Sequence, residues 1–319
     1  MTERQTHAPA RQVDVHAHWL PRTVADTLEQ AGHPPLRRTD PATLDDRLET
    51  LDAAGTDTQI IGLGALQPYG PDLATATRAA RTANEVYAAE LQRHGDRFAA
   101  FGTLPLAHPD AAAAEAEYCL DQLAFPGLGL GCSIGGLALD AAGLDPLWAL
   151  LDDRRAVIHL HPGTANTCAV GIADYPMLLG PVFGSPVETA VAVVRLVLGG
   201  VTTRFPGIRF VAAGLGGSLP DGWAKLRRNA GIAAAVGETR EADLPALLER
   251  ELRRFLYDTS TLEDRHRVAV PTAYGTDRLV LGTDAPWGDG ATAAATLTRV
   301  LGEHEAARVR TRGAELLPG

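Results

Sequence analysis

One feature constrains this chain more than any other. Eight short apolar runs recur along it, and amphipathic stretches rich in alanine and leucine lie between them. The runs are QVDVHAH (12–18), DTQIIGLG (57–64), RFAAFGTLPL (97–106), FPGLGLGC (125–132), AVIHLHP (156–162), IRFVAAGLG (208–216), RFLYDTS (254–260) and RLVLGTDAP (278–286). Continuous apolar runs of this length are what strands covered on both faces look like. Between them, PATLDDRLETLDAAG, DAAAAEAEYCLDQL and SPVETAVAVVRLVLGGVTTRF carry helical spacing. Eight such alternations predict an α/β fold, a (β/α)8 TIM barrel. An open doubly wound sheet is the competing fold. It normally shows a glycine fingerprint after its first strand, where this chain has His-Ala-His-Trp-Leu-Pro.

The 319 residues, 45% of them hydrophobic, supply ample material for one large core. The expected organisation is a loosely ordered segment over residues 1–11 followed by one domain over 12–319. Residues 165–186 form a long insert after strand five, and inserts at that end of a barrel cover the site or make dimer contacts. A formal charge of −10 argues against nucleic acid or an anionic membrane as partner. The N-terminal MTERQTHAPARQ lacks an apolar signal core, and no stretch approaches a membrane span. Cys119, Cys132 and Cys168 have no paired or metal-type spacing, which fits a reducing compartment. The expectation is a soluble cytoplasmic protein.

Barrel chemistry sits where strands end. Strand one ends His16-Ala17-His18, and side chains two apart share a strand face, so both imidazoles can enter the mouth. Strand five ends His159-Leu160-His161-Pro162, with His161 at the rim and His159 one layer deeper as a core histidine. Strand eight ends Gly-Thr-Asp284, just past the last strand residue. Three imidazoles and one carboxylate make a site for Zn²⁺ or a similar divalent ion. Taken singly, each has a plainer reading: a rim histidine, or an aspartate capping the next helix. His7, His33, His94, His108, His266 and His304 fall in loops or helices and read as solvated.

VDVHAHWLP, HLHPG, the run from ETAVAVVRLVLGGVTTRFPGIRFV to LGGSLP, FLYDTS and LVLGTDAPWGD occur in that order. Together they resemble the amidohydrolase-2 branch of the amidohydrolase superfamily, from about residue 12 onward. That branch includes aminocarboxymuconate-semialdehyde decarboxylase, resorcylate-type decarboxylases and some lactone hydrolases. The resemblance implies a (β/α)8 barrel holding a divalent metal, often zinc and in some members manganese. It also implies His16, His18, His161 and Asp284 as ligands. Members typically read His-x-Gly-Gly after strand six, and the matching position here is Gly214. A positioned acid or base contributes on the order of 10² to 10⁴ in rate. Asp284 could carry the proton instead, or the vacated space could admit a bulkier substrate or another protonating group.

The resemblance further implies arginines that hold a substrate carboxylate, one of them from the neighbouring subunit of a dimer. The corresponding position is Lys225, the chain's only lysine, although WAKLRR reads equally as a solvated helix face. Arg37 and Arg38, in the loop after strand one, are a second candidate anion clamp. Trp19 and Trp287 flank the proposed ligands and suit a flat substrate, or else pack the rim. Glu188 reads as helix N-terminal electrostatics first and a site residue second. The function expected is decarboxylation of a small unsaturated or aromatic acid by a homodimeric metalloenzyme. The alternatives are hydrolysis of a lactone, ester or amide, and a biosynthetic cyclisation or rearrangement.

Overall fold

The computed structural model describes residues 10–134, 137–163, 176–237, 241 and 243–318. Most of the expected N-terminal segment, residues 165–175 of the insert, His7 and Cys168 therefore lie outside the described residues. The alternating runs form eight parallel strands: β1 (Val13–His18), β2 (Thr58–Gly62), β3 (Phe98–Gly102), β4 (Gly127–Gly131), β5 (Val157–His161), β6 (Arg209–Ala212), β7 (Leu256–Asp258) and β8 (Leu279–Val280). They pair in chain order. The sheet closes where β1 meets the segment after β8, through Val15 N to Leu281 O (2.9 Å), Asp284 N to His16 O (2.8 Å) and His18 N to Ala285 O (2.7 Å). The expected (β/α)8 barrel is therefore present. A short antiparallel pair, Ser133–Ile134 with Leu137–Ala138, follows β4.

Two apolar layers explain why the strand runs lack polar alternation. Val13, Val15, Ile60, Phe101, Val157, Val211 and Val280 fill the lumen, and Leu316 packs with them. The outer strand faces pack against the helices in a second, larger core. Burying one such side chain contributes about 1.5–3 kcal/mol, so polar residues on these strands need a reason.

Polar side chains set the helix starts. Asp72 caps the Leu73–His94 helix by accepting from Thr75 N (2.9 Å). Asp289 does the same for the Gly290–Leu301 helix through Thr292 N (2.9 Å). The cap after β8 is thus Asp289, which leaves the Asp284 carboxylate free to point elsewhere. After β6 the backbone turns through four successive residues of positive φ, Gly214, Leu215, Gly216 and Gly217. At Gly217 a Cβ would lie 2.0 Å from the Pro186 carbonyl oxygen. Glycine lets the start of the Ser185–Leu198 helix close onto the turn, where Ser218 N donates to Pro186 O (2.9 Å).

Candidate metal centre

On a regular strand Val15 and His16 would face opposite ways, and Val15 packs in the lumen. Pairing with β2 shifts between Asp14 and Ala17, so β1 carries one extra residue there. Such a bulge re-aims the residues beyond it. His16, within the bulge, and His18, just past it, face the barrel mouth together. His161 arrives from β5, with ring centroids 5.0 Å from His16 and 4.9 Å from His18. Asp284 adopts a left-handed conformation, φ 59°, which Asp tolerates better than most residues. One donor atom from each of His16, His18, His161 and Asp284 lies within 4.8 Å of the others. His18 Nε2 is 2.8 Å from Asp284 Oδ1 and 3.2 Å from His16 Nε2, which is itself 3.4 Å from that carboxylate.

The opposite ring nitrogens decide what these donors present. His16 Nδ1–H donates to Asp258 Oδ2 (2.9 Å), and His161 Nδ1–H donates to the Pro162 carbonyl (2.8 Å). Each therefore aims an Nε2 lone pair inward. Lone pairs and an anion aimed at one point suit a cation between them, so the donor set fits a divalent metal. A proton can also sit there. Burial would push His16 down, but the charges of Asp258, Asp284 and Asp14, with the Asp258 hydrogen bond, raise it to about 9. Burial and the neighbouring imidazoles hold His161 well below its ordinary range. The His18 ring rests on Gly64 in the loop after β2, and its Nδ1 has no partner among the described residues.

Asp258, at the end of β7, is fully buried and anchors this floor. Its Oδ2 also accepts from His159 Nε2 (3.2 Å), and its Oδ1 accepts from Gly214 N (3.1 Å), Ser260 N (3.1 Å) and Ser260 Oγ (2.7 Å). Burial opposes its charge, but His16 and His159 outweigh that and hold it well below the usual carboxylate range. His159 stacks on Phe101 (centroids 5.4 Å apart), and burial lowers its pKa to about 4. It sits in the floor as a core residue. Sequence reasoning assigned Asp258 no role, although a carboxylate ending a parallel strand was the available signal.

Trp19 corrects an expectation. It is 1% exposed, its indole N–H donates to Pro41 O (3.0 Å), and its ring packs beside Tyr87 instead of facing the mouth. Trp287 does stand at the rim, 57% exposed, with the Arg38 guanidinium 4.2 Å over its ring. Arg37 and Lys225 are exposed. Glu188 lies in the first turn of the Ser185–Leu198 helix, as expected, and is buried there; its Oε1 accepts from Ser133 Oγ (2.7 Å), and burial raises its pKa. Two histidines expected in water are also buried: the His94 side chain pairs with Glu90 (3.1 Å), and His266 Nδ1 accepts from Glu263 N (3.0 Å).

Residues 13–308 match the amidohydrolase family profile. The chain belongs to the amidohydrolase family. Within it, the chain is 34% identical to gamma-resorcylate decarboxylase of Rhizobium radiobacter over 188 residues, 55% of this chain and 56% of that protein. The match thus spans little more than half of that relative's length. Identity to 6-methylsalicylic acid decarboxylase of Penicillium expansum is 28% over 286 residues, 86% of this chain and 85% of that one. Among solved structures, 2,6-dihydroxybenzoate decarboxylase from Rhizobium superposes with a TM-score of 0.81 at 26% identity, covering 96% of this chain and 98% of that one.

Proposed function

We propose that this amidohydrolase is a metal-dependent decarboxylase of a small aromatic acid carrying a hydroxyl beside its carboxylate. The convergence of three imidazoles and one carboxylate at the barrel mouth carries the reading. The decarboxylases it resembles support the substrate class, since gamma-resorcylate and 6-methylsalicylate share that ortho arrangement. His16, His18, His161 and Asp284 would hold the ion, and a nitrogen-rich donor set of this size suits Zn²⁺, with Mn²⁺ the alternative. Bound there, a divalent cation supplies Lewis acidity toward the adjacent carboxylate and phenolic oxygens.

The chain's own groups do the rest. Asp258 and the Pro162 carbonyl keep His16 and His161 in the tautomers that offer Nε2. Trp287 and Arg38 give the rim an aromatic face and a positive charge for a planar anion, with Arg37 beside them and Lys225 as a further cation. The Asp284 side chain, 39% exposed, reaches both the donor cluster and solvent; ionised at rest beside His16 and His18, it takes up a proton from solvent and passes it on in place of the histidine lacking at Gly214. The ring carbon takes that proton as its bond to the carboxylate breaks. The bonding pair becomes the new C–H bond and CO₂ leaves.

Buried free thiols at Cys119 and Cys132 suit the cytoplasm. A second copy of the chain is the proposed partner, on the exposed apolar run Leu178, Val182, Phe183, Val191 and Leu198. The test is elemental analysis of the purified protein, followed by CO₂ release from a panel of ortho-hydroxybenzoates and hydrolysis of a lactone panel. Metal near one per chain with CO₂ release supports the reading; lactone hydrolysis without CO₂ release would overturn it.

A further inference from the structure

Asp14 lies beneath the donor cluster and reaches both sides of it. Its carboxylate is fully buried and accepts four hydrogen bonds. Oδ1 takes the backbone N–H groups of His16 (3.2 Å) and Thr283 (3.0 Å), and Oδ2 takes Gln59 Nε2 (2.8 Å) and Thr283 Oγ1 (2.7 Å). One side chain on β1 thus grips the amide of one proposed ligand and the residue directly before another. Asp14 and Thr283 are 269 positions apart in sequence. The path continues outward. Gln59 Oε1 accepts from Arg47 Nη1 (3.1 Å), and Arg47 Nη2 donates to the His18 carbonyl.

We propose that Asp14 is a positioning residue, whose carboxylate sets the span between the β1 histidine pair and Asp284 and thereby the site's affinity for a divalent cation. The inference rests on the four-donor reading above. Two backbone hydrogen bonds, Asp284 N to His16 O (2.8 Å) and His18 N to Ala285 O (2.7 Å), already join this span, and the Asp14 carboxylate acts on its fine spacing. β1 is bulged between Asp14 and Ala17, and Asp284 lies past the end of β8 in a left-handed conformation. Coordination tolerates errors of only about 0.2 Å, and loss of a supporting partner costs roughly 10–100-fold in metal affinity. Among side chains this short, only a carboxylate accepts from four donors. An amide in its place would turn N–H groups toward Gln59 Nε2 and Thr283 Oγ1.

The experiment uses the full chain and zinc alone, with affinity measured by chelator competition and the fold followed by circular dichroism. Asp14→Asn is expected to bind zinc roughly 10–100-fold more weakly with the barrel intact. Adding Gln59→Glu should recover most of the loss. The carboxylate introduced by that second change can accept from both the amide at position 14 and Arg47, while Thr283 Oγ1 turns to accept the remaining amide proton. Leu316→Ala, which loosens the lumen, should lower the melting temperature without changing zinc affinity. If Asp14→Asn does not fold, Thr283→Val removes one bond of the same carboxylate and is expected to weaken zinc several-fold. Wild-type affinity in the variant that folds, or no recovery in the Asp14→Asn/Gln59→Glu pair, overturns the proposal. Failure of the four-donor reading would look different, because the wild-type chain itself would then take up no zinc.

Discussion

Gly64→Ala tests the donor cluster without touching a donor. A Cβ on Gly64 would stand 2.2 Å from His18 Cε1 and 2.4 Å from Nδ1. Carbon atoms in good contact sit about 3.5–4.0 Å apart, so the ring must retreat by about 1 Å. That is several times the roughly 0.2 Å that coordination tolerates, which removes His18 as an effective ligand. Zinc affinity should therefore fall by at least about 100-fold, the upper end of the loss seen when a supporting contact alone is removed. Gly64 also has φ +59°, and left-handed backbone costs a residue with a Cβ about 1–2 kcal/mol. Gly55→Ala isolates that backbone cost, because Gly55 has φ +67° and its Cβ would meet only Gln12 Nε2, at 4.0 Å. The assay is chelator competition together with urea unfolding of the metal-stripped protein. Both variants should lose similar stability, and only Gly64→Ala should lose zinc. Equal zinc affinity in the two would refute the placement of His18 at the centre.

Other outcomes follow from the same geometry. His161→Ala should retain no metal after dialysis, whereas His159→Ala should retain it and lose roughly 2–4 kcal/mol of stability, from the cavity beside Phe101 and an unpaired Asp258; metal retained in full by both variants would remove His161 from the ligand set. With His16 raised to about 9 from its ordinary 6.5, the metal-free protein carries a proton there at neutral pH. Metal binding should then release about one proton, and affinity should rise about tenfold per pH unit up to about pH 9, as read by calorimetry in buffers of different ionisation enthalpy. The same raised value stabilises the metal-free fold fully below about pH 6.5, and that contribution is lost as pH rises through about 9. Gly214→His should cost about 1–3 kcal/mol and should not raise CO₂ release, since φ is +55° and Thr261 Cγ2 lies 3.1 Å from the new Cβ; a faster variant would mean the vacated position limits the reaction. Phe183→Glu with Val191→Glu should shift the protein toward monomer in sedimentation, and an unchanged mass would place the dimer contact elsewhere.

The barrel was readable because its strands are buried on both faces, and continuous apolar runs announce that condition. His16, His18, His161 and Asp284 were readable as a group because all stand at strand ends, where local spacing and strand order agree. What stayed hidden depends on contacts distant in sequence. Trp19 directly follows the histidine pair, yet Tyr87 OH donates to its carbonyl (2.7 Å) from the Leu73–His94 helix, and the indole goes into the core. Asp14 and Asp258 each appear as one polar letter in an apolar run. Their meaning lies in partners such as Thr283 and His16, which only barrel closure brings near. The bulge in β1 is equally silent, because nothing in VDVHAH marks the added residue.

The closure of the sheet between β1 and β8 also divides the proposed donors between the two halves of the chain. A single cut at Gly143, an exposed connection where even an added Cβ would meet no neighbour, would leave His16 and His18 on one fragment and His161 and Asp284 on the other. Neither fragment could hold the ion tightly alone, while the reassembled pair would regain the full donor set. Zinc would then act as a selective glue between halves, contributing RT ln(1 + [Zn]/Kd) to their association. The centre thus makes two-piece reassembly a metal-gated event, readable as zinc-dependent complementation.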